Sequence, residues 1–442
     1  MKERRRIHLG IDYGTSGSKI VLRDFGAPGG EKASVLCYRG SYRFPSSVCV
    51  VQNNIIFGSE PPTDDRNTEE TWYESLKMRV AAEITGNYER FCYAPLQELP
   101  AGLSAKDLAT LSLWWLISEG HRGAIQHLSD YDLAVGMTVG IPMSFFSDQA
   151  IRNTFLEIVR AAWYLNRANG ILEKPSLEAA TARRMLDEAY NSISKRPVLP
   201  DTVRDWIRSE AEAAMYSSFQ SPSVRAGTYA KVDVGAGTTN ASVFRITDTF
   251  ANGRWMKTGM AFYGADSGPS GMDAIDRALW EWRPDGKKDW LVLRGMESGL
   301  LEEPGAVTAC DKPINETVRI GRSPWKQLRE KLGGGLVGIA DPEWKNCMIY
   351  LLGGGGPLRA FRERLPIYPF DQSLRLNIGI LECPSDLDFD FSSAVPIEIL
   401  QFVLVAYGLS EPGLAVPFVD TPSETPPWSP PRKRPFKDYD DF

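Results

Sequence analysis

Two glycine-rich segments carry the residue types that bind phosphate, and they lie about half the chain apart. The first is IHLGIDYGTSGSKIVLRD (Ile7 to Asp24) and the second is YAKVDVGAGTTNASVFRI (Tyr229 to Ile246). In each segment a β-branched strand ends at an aspartate, Asp12 or Asp233, and a Gly/Ser/Thr loop leads into a second strand. The pattern therefore predicts two matched hairpins whose loops are built from backbone amides and hydroxyl groups.

Loops of this kind bind anions because their amide hydrogens and hydroxyl groups point at the ligand. Two such loops facing one cleft would hold a polyphosphate from both sides. A carboxylate beside phosphates is repulsive unless a cation lies between them, so we expect Mg²⁺, held through water by Asp12 and Asp233. The residues predicted to bind the phosphates are Gly14, Thr15, Ser16, Gly17, Gly235, Ala236, Gly237, Thr238 and Thr239.

A third glycine loop, LLGGGGPL (Leu351 to Leu358), follows an apolar strand. Several glycines at such a place let a ribose or a planar base approach the backbone closely. Taken alone, a loop of this kind is as often a structural turn. Beside two phosphate hairpins it predicts adenosine binding by Gly353, Gly354 and Gly355.

Composition narrows the classes of function. The net charge of −6 argues against nucleic acid as a partner, because phosphate backbones need concentrated positive charge. The six cysteines form no CxxC pair and there are three histidines, so neither a zinc site nor a disulfide framework is indicated. No apolar run is long enough to span a membrane, and no apolar signal core follows the N-terminal charges. A cytoplasmic protein is expected.

The alternation of strand and helix patterns indicates an α/β protein. We predict one helix over Thr68 to Ala82 and another over Asp148 to Leu165, the latter with its N-cap at Ser147. The segment after Leu409 has eight prolines and too little apolar surface to fold by itself. The expected organisation is a first lobe over residues 1–185 with a returning helix over 394–410, a helical insertion or hinge over 186–227, a second lobe over 228–393, and a disordered tail over 411–442.

The ordered set of loops resembles the actin, hexokinase and heat-shock ATPase superfamily, and within it the nucleotide-binding half of seventy-kilodalton heat-shock proteins. The resemblance covers residues 7–410 and rests on GIDYGTSGSKIVL, VDVGAGTTNASVF, LLGGGGPL, VGIPMSFFSDQAIRNTF and GPSGMDAID. ESLKMRV, around Lys77, resembles the family's F-K-R segment with its catalytic lysine. PSLEAATARRM, around Glu178, resembles its E-P-x-A-A segment. The resemblance implies a two-lobed actin-like ATPase fold, with ribonuclease H-like subdomains around a nucleotide cleft.

The resemblance also implies a function, an ATP-binding and ATP-hydrolysing switch that uses ATP or ADP with Mg²⁺. Lys77 would stabilise charge on the γ-phosphate and Glu178 would orient the attacking water, with Asp233 and Thr238 completing the catalytic group. Ala179, Ala236 and Asn240 depart from the family pattern and make the rate of hydrolysis uncertain.

Nothing after Leu409 resembles the β-rich peptide-binding domain of a full chaperone, so we expect action through partner proteins. The proline-rich tail is either a docking segment for such a partner or a solubilising tail. Two other classes stay open, a filament-forming actin-like ATPase and a sugar kinase, which can also begin with G-I-D-x-G-T-S-G. The middle of the chain has no D-x-x-G-T segment for a sugar kinase, and ATP turnover without sugar would separate that class.

Overall fold

The computed structural model of the chain describes residues 2–59, 70–91, 99–199, 202–221, 224–251, 254–282, 304–331, 347–367, 375–389, 397–412 and 419–420. These residues form a mixed α/β structure whose strands belong to three sheets. In chain order the strands are β1 (Arg4–Asp12), β2 (Gly17–Asp24), β3 (Lys32–Val35), β4 (Phe44–Pro45), β5 (Val48–Val51), β6 (Asn54–Ile56), β7 (Glu70–Tyr73), β8 (Asp132–Ile141), β9 (Ser176–Glu178), β10 (Ile207–Ser209), β11 (Gly227–Val234), β12 (Thr239–Ala251), β13 (Arg254–Gly268), β14 (Met348–Leu352), β15 (Asn377–Ile378), β16 (Leu387–Phe389) and β17 (Val419–Asp420).

Most of the helices among the described residues contact a sheet, and the others contact a neighbouring helix. They are α1 (Leu76–Thr85), α2 (Tyr88–Phe91), α3 (Ala105–His127), α4 (Met143–Ser147), α5 (Gln149–Asn169), α6 (Ala179–Ser194), α7 (Val203–Trp206), α8 (Glu210–Gln220), α9 (Met272–Trp282), α10 (Pro304–Lys331), α11 (Arg359–Arg364) and α12 (Ile397–Leu409).

The two larger sheets repeat one arrangement of strands. In the first sheet the order is β10-β8-β1-β2-β3-β16, and in the second it is β15-β14-β11-β12-β13-β17. Each contains an antiparallel hairpin, β1–β2 or β11–β12, whose first strand has a parallel neighbour, β8 or β14. The second strand of each hairpin has an antiparallel neighbour, β3 or β13. The two predicted hairpins are therefore present at equivalent places in two sheets.

Helices α8 and α12 lie together between the two larger sheets. Helix α12 contacts β1, β2 and α8, and α8 contacts β12. Their apolar side chains share one buried cluster with residues of both sheets, including Val21, Phe244 and Tyr407. Helix α12 is apolar on nearly every side, and its residues from Val403 to Leu409 are buried, while Gln401 and Phe402 are partly exposed.

Two helix starts differ from those predicted. The helix expected over Thr68 to Ala82 begins only at Leu76, because the β-prone residues before it form β7, which pairs with β5. Ser75 then takes a left-handed conformation and separates strand from helix. The N-cap of α5 is Asp148 and not Ser147, since the Asp148 carboxylate accepts hydrogen bonds from two backbone amides of the first turn.

The segment 186–227, expected to be a helical insertion or hinge, contributes to the first sheet. Its β10 pairs in parallel with β8, and α8 follows directly. The boundary at residue 185 falls inside α6. Of the tail over 411–442, the structure describes residues up to 412 and the short strand β17, which pairs with β13 at the edge of the second sheet. The other tail residues lie outside the described part of the chain.

Across the described ranges, none of the helices combines the length and the apolar character that a membrane span requires.

Candidate functional site

A cavity of 310 Å³ lies where the loops of the two hairpins face each other. It is closed on a third side by the glycine loop after β14 and on a fourth by α12. The lining residues are Asp12, Gly14, Thr15, Ser16, Gly17, Lys19, Arg43, Lys77, Glu210, Asp233, Gly235, Ala236, Thr238, Asn240, Met272, Gly353, Gly354, Gln401, Phe402 and Val405.

Each hairpin loop contributes residues to the lining of this cavity. The amides of Gly14 and Gly235 donate within their own loops, to the carbonyls of Asp12 and Thr238. No protein group in the described part of the chain accepts the amide hydrogens of four loop residues, Thr15, Ser16, Ala236 and Gly237. The loops can therefore offer these amides to an anion.

The loops also touch one another, and glycine is needed at that contact. A Cβ atom on Gly237 would lie 2.6 Å from Cγ2 of Thr15, which is too close for any side chain. A Cβ atom on Gly353 would lie 2.2 Å from Oδ1 of Asp233. The third loop thus rests directly on the carboxylate at the end of β11.

The aspartates at the two strand ends have different surroundings. Asp12 accepts a hydrogen bond from the Lys19 ammonium at 3.2 Å. Asp233 has no such partner among the described residues. Burial, followed by the nearby charges of Asp12 and Glu210, raises the pKa of Asp233 to about 7.

Lys77 and Glu210 form a buried ion pair at the same cavity. The Lys77 ammonium donates to Oε1 of Glu210 at 2.6 Å, and both side chains are almost completely shielded from solvent. The amide of Asn240 donates to the other carboxylate oxygen, Oε2, at 2.8 Å. Burial raises the pKa of Glu210, and the positive charge of Lys77 opposes that rise.

The backbone explains how these two side chains reach the cavity. Lys77 is the second residue of α1, so it lies at the end of that helix nearest the hairpins. Glu210 is the first residue of α8, directly after β10, and the Ser209 hydroxyl caps the helix by accepting from the amide of Glu212. A carboxylate at a helix N-terminus is stabilised by the helix dipole.

A larger cavity of 540 Å³ lies on the far side of the glycine loop, against β14, β15 and α12. Its lining is mostly apolar, and of the lining residues Arg362 alone carries a charge. It shares Gln401 and Phe402 with the smaller cavity. Because it lacks converging amides and carboxylates, we place the candidate chemistry in the smaller cavity.

Most of the predicted site residues come together. Those that line the cavity are Asp12, Gly14, Thr15, Ser16, Gly17, Lys77, Asp233, Gly235, Ala236, Thr238, Gly353 and Gly354. Gly237 instead packs on Thr15, and the Thr239 hydroxyl donates to the Ser270 carbonyl. Gly355 packs on Val234 and donates its amide to the carbonyl of that residue.

Glu178 is not brought to the cavity. It ends β9 in the third sheet, opposite Asn54, and is exposed. Its carboxylate accepts from the Thr181 hydroxyl at 2.9 Å, one turn into α6. The carboxylate that accepts from Lys77 is that of Glu210, and not that of Glu178 as predicted.

A signal for Glu210 was present in the sequence. The segment EAEAA, Glu210 to Ala214, fits the E-P-x-A-A spacing with alanine in place of proline, whereas EAATA after Glu178 does not. Lys19 and Asn240 could have been found from the hairpin register, since they pair with Asp12 and Asp233. Arg43, whose guanidinium donates to the Ser16 carbonyl, comes from a loop with no distinguishing pattern.

Within the described residues, no cluster of three or more carboxylate, histidine or cysteine ligands could hold a metal directly. The carboxylates present suit a different arrangement, because Mg²⁺ bound to phosphates keeps several waters and touches few protein groups. Asp233 fits that role, because burial, followed by the negative charges of Asp12 and Glu210, raises its pKa, and a cation nearby would favour the ionised carboxylate.

No protein-family model matches this chain, and no curated protein sequence matches it either.

Proposed function

We propose that this protein is an ATP-binding and ATP-hydrolysing molecular switch of the two-lobed actin-like type, similar to the nucleotide-binding half of seventy-kilodalton heat-shock proteins. The observation that carries the proposal is the meeting of two equivalent hairpin loops and a buried Lys77–Glu210 pair at one polar cavity. The repeated strand order of the two larger sheets supports the two-lobed fold.

In this proposal the hairpin loops bind the phosphates. The amides of Thr15, Ser16, Ala236 and Gly237 and the hydroxyls of the loops donate to the phosphate oxygens. The glycine loop after β14 then leaves room for the adenosine. Asp12 and Asp233 hold the water shell of Mg²⁺, which when bound neutralises charge on the phosphates.

Hydrolysis requires a water to attack the γ-phosphorus while the bond from that phosphorus to the bridging oxygen breaks, giving ADP and phosphate. Glu210 is the residue best suited to orient this water and accept its proton, because its carboxylate faces the cavity and is held by two donors. Lys77 adds positive charge beside the transferred group. Such catalysis consists mainly of positioning and electrostatic stabilisation.

The output of the switch is proposed to reach partner proteins through the C-terminal segment. Three residues of α12, Gln401, Phe402 and Val405, line the cavity, and the same helix ends at Leu409, just before the tail. A change of nucleotide could therefore move the helix that leads into the tail.

Deleting residues 421–442 should spare ATP binding and remove a partner from affinity capture. An unchanged set of partners would contradict docking by the tail.

ATP binding is tested first by thermal unfolding. Millimolar ATP with Mg²⁺ should raise the melting temperature, because a ligand that binds only the native state stabilises it. The Lys77→Ala variant should still show this shift but lose hydrolysis in single-turnover assays. Absence of any shift with ATP in the wild type would contradict the proposal, and turnover that requires a sugar would indicate a kinase instead.

A further inference from the structure

The Glu210 carboxylate is held from both sides of the cavity. Lys77, on α1, donates to one oxygen, and Asn240, on β12 of the second sheet, donates to the other. Helix α1 belongs to the core that covers the first sheet. The three side chains therefore form a bridge across the cavity, with Glu210 at its centre.

The chemistry of the partner fixes which end of the Asn240 side chain faces Glu210. An ionised carboxylate only accepts hydrogen bonds, so the NH₂ group must point at it. The Oδ1 atom of Asn240 is buried and has no partner in the described part of the chain. An aspartate at this place could not donate unless it were protonated.

We propose that Asn240 is a positioning residue that fixes the orientation of the Glu210 carboxylate and keeps it ionised, and thereby sets the pH range of hydrolysis. The inference rests on the proposed function. Because each oxygen accepts from a different donor, the two hydrogen bonds hold the carboxylate in one orientation. That orientation fixes where the remaining lone pairs point. Without the amide, burial would favour the protonated form, which cannot accept a proton from water.

Other charges also face Glu210 and must be kept constant in a test. They are Lys77 of α1, Asp12 of β1, Lys19 of β2 and Asp233 of β11. Changes at Asn240 leave all of them in place. A matched control is Ser242→Ala, because Ser242 is buried two residues further along β12, on the same face, and does not line the cavity.

The first experiment measures single-turnover ATP hydrolysis against pH for the wild type, Asn240→Leu, Asn240→Asp and Ser242→Ala. In Asn240→Leu the Glu210 carboxylate loses a hydrogen bond to its charged form. The acidic limb of the rate profile should therefore lie about one pH unit higher on the pH axis than in the wild type. Asn240→Asp should move it further, because two adjacent carboxylates share a proton. Ser242→Ala should leave it unchanged. A drop in rate that is equal at every pH, with the limb unmoved, would overturn the proposal.

The second experiment needs no nucleotide. A double-mutant cycle of Asn240→Leu with Glu210→Gln, measured by urea unfolding of the ligand-free protein, gives the coupling between the two side chains. The coupling should grow as the pH rises, because the amide hydrogen bond favours the ionised form of Glu210. A coupling that does not change with pH would overturn the proposal. If the wild type fails to hydrolyse ATP, the proposed function is wrong, and the cycle still decides whether Asn240 keeps Glu210 ionised.

Discussion

The two hairpins have the same strand register but differ in charge. In each, eight residues run from the strand-end aspartate to the residue paired with it, from Asp12 to Lys19 and from Asp233 to Asn240. Lys19 neutralises Asp12 within the first hairpin. Asn240 brings no charge to Asp233 and donates its amide to Glu210 instead. Matched patterns thus produce the same strand register, while the residue paired with the aspartate decides whether the hairpin neutralises that carboxylate itself.

The largest effect is expected from removing the uncompensated charge of the second hairpin. The pKa of Asp233 is raised to about 7, so the ligand-free native state keeps a proton that the unfolded chain loses near pH 4. Wild-type stability should therefore fall as the pH rises from about 4 to about 7. Asp233→Asn does not titrate and should become more stable than the wild type by up to about 4 kcal/mol at pH 8. Urea unfolding at several pH values measures this.

The matching change in the first hairpin tests whether the two aspartates differ in their effect on stability. Asp12→Asn removes one of the charges that raise the pKa of Asp233, yet it also takes the partner from Lys19. Its gain at pH 8 should be clearly smaller than that of Asp233→Asn. Equal gains in the two variants would show that the hairpins are electrostatically alike.

The next largest effect is expected at Glu210, whose carboxylate accepts a hydrogen bond from Asn240 of the second hairpin. Glu210→Gln should lower single-turnover hydrolysis by about 10²-fold or more, because removing one group that acts in the transition state has costs of that order. ATP binding, followed by thermal shift, should persist. Glu178→Gln is the matched control, since Glu178 is exposed and outside the cavity. A comparable loss in Glu178→Gln would return the catalytic role to that residue.

A smaller effect is expected when the first hairpin is given the residue of the second. Lys19→Asn removes a positive charge from the cavity and leaves Asp12 without its ion pair. The affinity for ATP should fall about tenfold, which corresponds to about 1.4 kcal/mol. Isothermal titration calorimetry measures it, with Lys32→Asn on the exposed end of β3 as control. Unchanged affinity would mean that Lys19 serves only to pair with Asp12.

The sequence predicted the elements whose pattern is local. The hairpin strands and the glycine loop after β14 lie where β-branched runs and glycines indicated. The region around Lys77 was misjudged because local patterns do not show that Thr71 to Tyr73 pair with β5, a contact between segments distant in sequence. The role of β10 was missed for the same reason, since three residues make a strand only when β8 lies beside them.

The site was predictable in its loops and less so in its charges. Most of the predicted loop residues line one cavity, because runs of glycine and hydroxyl residues mark such loops in a sequence, while their binding of phosphate stays a prediction. Glu210 was missed because both glutamates are followed by alanines, and only the full E-P-x-A-A spacing, which Glu210 fits, separates the two. The contact from Asn240 joins β12 to α8, so it depends on how the second sheet packs on that helix.

The smallest effect tests how tightly each hairpin loop is closed. A Cβ atom on Gly14 would lie 2.1 Å from the carbonyl oxygen of Gly17, a backbone atom that cannot move without opening the loop. On Gly235 the nearest atom, the Thr238 carbonyl oxygen, would be 3.0 Å away, so a shift of a few tenths of an ångström would relieve the contact. Gly14→Ala should therefore be less stable than Gly235→Ala by about 1 kcal/mol, as expected for overpacking. Urea unfolding of the ligand-free variants measures the difference, and equal stability would mean that the first loop opens as easily as the second.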